Sequence, residues 1–93
     1  MIVAKITLEI FLPNATNLKE KRRKVNSLKD NLRNNFKVSV AEVDYENLWQ
    51  RSKFLIAIPS KDRLNLERKI QKIFEFLKDD PEIEITSFEK EYF

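Results

Sequence analysis

The sequence predicts an α+β sandwich: element order β-α-β-β-α-β, a four-stranded antiparallel sheet and two helices on one of its faces. Three observations predict it. Strict alternation of apolar and other residues runs from Ile2 to Leu12. Two apolar stripes at helical spacing follow, one from Leu18 to Phe36 and one from Leu66 to Leu77. A strand, a proline, a polar cap and a helix occur in that order at Leu12-Pro13…Asn17, and again at Ile58-Pro59-Ser60. The chain therefore divides into two βαβ halves. Its 93 residues are enough for one hydrophobic core and too few for two, so residues 1–93 are expected to form a single domain.

In the first strand Ile2, Ala4, Ile6, Leu8, Ile10 and Leu12 point one way. Val3, Lys5, Thr7, Glu9 and Phe11 point the other. Pro13 stops it, because proline donates nothing to a ladder. Asn17 with Glu20 makes a variant capping box. The helix it opens runs from about Leu18 to Asn35, with Leu18, Val25, Leu28, Leu32 and Phe36 on one stripe. Val38 to Val43 is the second strand and Asp44 to Asn47 the turn. The third strand starts at Trp49 or Gln50, ends at Ile58 and is stopped by Pro59. Ser60 is the expected cap of the second helix. Leu66, Ile70, Ile73 and Leu77 form that helix's stripe, and Asp79-Asp80-Pro81 ends it. Ile83 and Ile85 begin a fourth strand, and residues 88–93 give no clear pattern. With right-handed crossovers the two halves make the ferredoxin-like fold, in which the first and third strands are central. Those two are the richest in apolar residues here.

The absences exclude most site chemistry. The chain has no His, no Cys and no Gly. It therefore lacks the usual neutral-pH acid–base group, thiolate nucleophiles and zinc–thiolate ligands. It also lacks the glycine loops that cradle phosphates or dinucleotides. The carboxylate pairs Asp79-Asp80 and Asp44…Glu46 fall in turns, where such residues are common for local reasons. No catalysis, metal, cofactor or small-molecule substrate is expected. The longest apolar run, Phe54 to Ile58, is far short of the roughly 20 residues of a membrane span. The N-terminus has no signal-peptide pattern, so a cytoplasmic location without membrane association is expected.

Charge is unevenly placed. Residues 17–37 hold eight Lys/Arg and two Asp/Glu; residues 79–93 hold one Lys and six Asp/Glu. On the first helix Lys19 and Arg23 share the outward face, with Lys24 on the opposite flank. These three are the candidate RNA-phosphate contacts, and the same residues also make an ordinary solvated face. Lys21 and Arg22 flank the buried stripe, where alkyl stems cover the core edge. Arg22 is expected to pair with Glu42 or Asp44 as a structural brace. Alternation gives the open sheet face Val3, Phe11, Trp49 and Leu55, an apolar set suited to a homodimer interface. An RNA-reading sheet of the RRM type is disfavoured, because its motif needs glycine between the aromatics.

Three segments also resemble a known family. Asn17-Leu18-Lys19-Glu20-Lys21-Arg22-Arg23, Val38-Ser39-Val40-Ala41-Glu42-Val43-Asp44 and Leu48-Trp49-Gln50-Arg51 are similar to the YlxP-like proteins of bacteria, a family of unestablished function. That family usually has Ser where this chain has Asn17, and often His where it has Tyr45. The resemblance implies a small ferredoxin-like protein, commonly encoded beside translation-initiation and ribosome-maturation factors. A non-catalytic RNA- or ribosome-associated accessory role is therefore expected, with rRNA or a ribosomal particle as partner. The alternative is a homo-oligomeric protein-interaction module without nucleic acid.

Overall fold

The computed structural model describes residues 1–93. Its elements are β1 (Ile2–Phe11), α1 (Leu18–Phe36), β2 (Ser39–Asp44), β3 (Arg51–Ser60), α2 (Arg63–Lys78) and β4 (Glu84–Tyr92). The sheet order is β2-β3-β1-β4, and all neighbours are antiparallel. This is the ferredoxin-like arrangement, with the two most apolar strands at its centre. The exposed surface is 5865 Å², close to the roughly 5,700 Å² that a folded monomer of this mass exposes.

The core follows from the alternation. Ala4, Ile6, Leu8, Ile10 and Leu12 of the first strand and its exit are at most 2% exposed. Phe54, Ile56 and Ile58 meet them across β3, with Leu8 opposite Phe54 and Ile6 opposite Ile56. Val25, Leu28 and Leu32 of α1 and Leu66, Ile70, Ile73 and Leu77 of α2 close this side of the sheet. Phe36 and Phe76 meet edge to face at 5.5 Å. Each leans toward its own helix N-terminus, as long helical side chains do, so in antiparallel helices the two rings converge.

Helix boundaries have local causes. Asn17 is extended, with φ −158° and ψ 170°, and its Oδ1 accepts the Glu20 N–H at 2.8 Å. The Glu20 carboxylate reaches back to the N–H and hydroxyl of Thr16. The box therefore closes one residue earlier than the usual form. At the other end Lys37 takes the left-handed conformation, with φ 57° and ψ 49°, and its N–H bonds the Arg33 carbonyl. That position is commonly glycine, and this sequence has none.

Two boundary expectations need correction. Pro59 does not stop the third strand, which continues to Ser60. Val3 spends both backbone groups on Phe93, at 2.9 and 2.8 Å, so its pairing with Pro59 needs no hydrogen bond. The missing N–H of Pro59 faces the β2 side, where β2 begins only at Ser39 opposite Ala57. The proline therefore costs no ladder bond there. Because the strand is longer, Asp62 rather than Ser60 caps α2, accepting the Leu64 N–H at 2.9 Å. Ser60 instead accepts the Asp62 N–H and steadies the turn. Residues 84–92, most of the stretch without a clear pattern included, form the edge strand β4 along β1.

Candidate functional site

Lys21 occupies the inward stripe of α1, three residues after Leu18 and four before Val25. It is 1% exposed. Its ammonium has three protons, and all three are used. They meet the carbonyls of Tyr45 at 2.7 Å and Glu46 at 3.0 Å, and Glu42 Oε2 at 2.8 Å. The Ser52 hydroxyl donates to the same carboxylate oxygen. No buried side-chain polar atom is left without a partner. The expected brace from Arg22 to Glu42 or Asp44 is therefore displaced by one residue. Arg22 lies 100° further round the helix and is exposed, and Lys21 holds Glu42. Asp44 accepts the N–H of Tyr45 at 2.8 Å.

This node anchors the loop between β2 and β3. Tyr45 is left-handed, with φ 61°, and Arg51 lies 4.1 Å above its ring. Further along, Gln50 donates to the carbonyls of Pro13 and Ala15, and its own carbonyl accepts the Leu12 N–H at 2.8 Å. Leu48 and Trp49 sit between these anchors, 46% and 53% exposed. Trp49 thus belongs to a fastened loop and not to the third strand. Asn47, Leu48, Trp49, Gln50 and Arg51 share with Phe11 a hollow of about 460 Å³.

The four residues expected at one sheet interface do not form one patch. Phe11 and Trp49 meet at the loop end. Val3 stands eight strand residues away, about 27 Å at the usual rise, beside Pro59 and Phe93. Leu55 lies between, opposite Thr7. Ion pairs cross the intervening surface, Lys5–Glu91 at 3.2 Å and Arg51–Glu9 at 3.4 Å.

Of the three candidate phosphate contacts, Lys24 is already occupied. Its Nζ meets Asp80 at 2.7 Å and Glu82 at 3.4 Å, which ties α1 to the loop before β4. Lys19 and Arg23 are exposed and make no ion pair. Arg23 shares a hollow of about 310 Å³ with Glu20 and Glu82, so this end of the helix is mixed in sign.

Glu20 titrates below the usual carboxylate range. The backbone N–H of Thr16 contributes most, then the Thr16 hydroxyl, the Asn17 amide and the Arg23 charge. All of these favour the ionised form. A depressed folded-state value contributes stability that is present above the unfolded value and lost as pH falls through the folded one. The Glu20 carboxyl carbon followed by NMR should therefore titrate on the acid side of the normal range. The amide signals of Thr16 and Asn17 should shift with the same midpoint; a normal Glu20 midpoint would contradict the capping geometry.

Charge also separates by layer. The two helices carry twelve Lys/Arg and four Asp/Glu, while the strands and connections carry six and eleven. The helix layer is thus +8 and the remainder −5. Counting only the first helix as basic misses the contribution of α2.

A family model described as a protein of unknown function (DUF503) matches residues 3–90. The protein of Bacillus subtilis (strain 168) described as uncharacterized protein YlxP is 36% identical over 85 residues, which is 91% of this chain and 92% of that one. All three resembling segments, with Lys21, Glu42 and Trp49, lie inside the matched span. The chain belongs to the DUF503 family, to which its resemblance to YlxP-like proteins pointed.

Proposed function

We propose that the chain is a non-catalytic RNA-associated accessory protein whose helix layer, and not its sheet, meets the phosphate backbone. The observation that carries this reading is the +8 balance of the two helices against −5 for the rest. Lys21 and Lys24 are spent on Glu42, Asp80 and Glu82, and the remaining excess still makes a face of net positive charge, which steers and holds a polyanion. The open sheet face supports RNA reading less well, since Lys5 and Arg51 already pair with Glu91 and Glu9 and leave Lys53 as the cation of β3 there without an ion pair. Structured rRNA is the partner to test first. Binding of a labelled rRNA hairpin should weaken by roughly several hundredfold between 50 and 200 mM salt, if about five phosphates are contacted. Binding that ignores salt, or no binding at 50 mM, rejects the reading.

One observation favours a second reading, that of a homodimeric interaction module. Leu48 and Trp49 are exposed on a loop anchored at both ends, and anchored aromatics dominate many interfaces. Sedimentation equilibrium should then show a dimer that Trp49→Ala weakens. A monomer of 11.2 kDa at high concentration rejects it.

A further inference from the structure

The end of the helix layer away from Lys19 differs from the end near it. There α1 finishes and α2 passes through its first three turns. Phe36 and Lys37 from one side, and Arg68, Lys69 and Lys72 from the other, line a cleft of about 480 Å³. Two amides, Asn35 and Asn65, complete the lining, and no carboxylate takes part. None of the four cations makes an ion pair within the molecule, whereas Lys24 meets Asp80 and Glu82, and Arg63 meets Glu67. Arg68 and Lys72 are spaced i,i+4 on one face of α2, where like charges repel. A bound polyanion removes that repulsion. Lys37 joins them from a left-handed position that few side chains adopt.

We infer that this cleft is the main phosphate-binding site, and that it takes the phosphodiester backbone of RNA. The inference rests on the helix-layer reading above and says where on that layer the contact lies. A guanidinium beside amides suits phosphate oxygens, which Arg holds with two parallel bonds. Half-buried Phe36 adds an apolar wall of the kind that bases and sugars pack on and that an acidic side chain does not need. The other end of α1 competes poorly, because Glu20, Asp80 and Glu82 stand among its cations.

The test compares two charge-removing variants by fluorescence anisotropy on the same single-stranded RNA across a salt series. Arg68→Gln with Lys69→Gln and Lys72→Gln should weaken binding on the order of a hundredfold at 0.1 M salt, and reduce the log–log salt slope by about 2. Lys19→Gln with Arg23→Gln should change affinity by less than about fivefold, because these residues contact few phosphates and so release few counterions. Arg68→Gln with Lys72→Gln serves if the triple variant fails to fold, since both residues are exposed. The reverse pattern overturns the site while leaving the RNA reading intact. Equal displacement by polyglutamate of matched charge also overturns it and assigns the cleft to an acidic protein. An unchanged parent that binds no RNA at 50 mM overturns both.

Discussion

Lys21→Ala is expected to cost about 3–5 kcal/mol, the usual result of removing one partner of a buried ion pair. Three acceptors lose their donor together: the carbonyls of Tyr45 and Glu46, and the carboxylate of Glu42. A domain of this size has only about 5–15 kcal/mol in total. The melting temperature should therefore fall by at least about 12 °C. Arg22→Ala, one residue away, should move stability by no more than about 0.5 kcal/mol, as exposed positions do. The pair of variants separates a buried anchor from a basic surface run. Lys21→Met keeps the apolar stem and isolates the charge. In that background Glu42→Gln should cost less than it does in the parent, because the carboxylate no longer has an ammonium to lose. An unfolding midpoint for Lys21→Ala equal to that of the parent would remove the anchor from the account.

The same lysine shows what could be read in the sequence. The strands and helices were legible because burial repeats at the period of each element. Ile2 to Leu12 alternates, and the residues from Ala4 to Leu12 on its apolar face are the ones buried against the helices. The stripe Leu66, Ile70, Ile73 and Leu77 is the buried face of α2 without exception. Lys21 also fits its stripe, three residues after Leu18, and that spacing was the available signal. A lysine on such a stripe ordinarily reaches outward to water, and its burial here depends on two carbonyls more than twenty residues further on. Periodicity says nothing about such partners. The ion pairs of Lys24 are hidden from the sequence for the same reason, since Asp80 and Glu82 reach it only once α2 and β4 are in place. Trp49 falls on the third strand only if the alternation is extended back through a loop. Pairing with β1 begins only at Arg51, opposite Phe11, so the alternation of β3 does not reach Trp49. The cationic cleft is not legible in the sequence because it joins the last turn of one helix to the first three turns of the other, and neither segment is exceptional alone.

Phe54→Ala is expected to cost about 3–5 kcal/mol, while Trp49→Ala costs about 1 kcal/mol or less. The contrast comes from position. Phe54 is fully buried on a central strand, opposite Leu8 on one side and Glu42 on the other. Its removal leaves a cavity that two paired strands cannot collapse to fill. Trp49 is the larger side chain, but it is 53% exposed and gives up little on truncation. The backbone of its loop is held by Lys21 and Gln50 rather than by the indole. Urea unfolding followed by far-UV circular dichroism compares the two variants without depending on the indole signal. If Trp49→Ala proves as destabilising as Phe54→Ala, the exposed loop is part of the core and not a presented surface. If it is mild, any loss of self-association on Trp49→Ala reports the surface itself. An intact fold then lets the homodimer reading be judged separately from the proposed RNA contact at the opposite end of the helix layer.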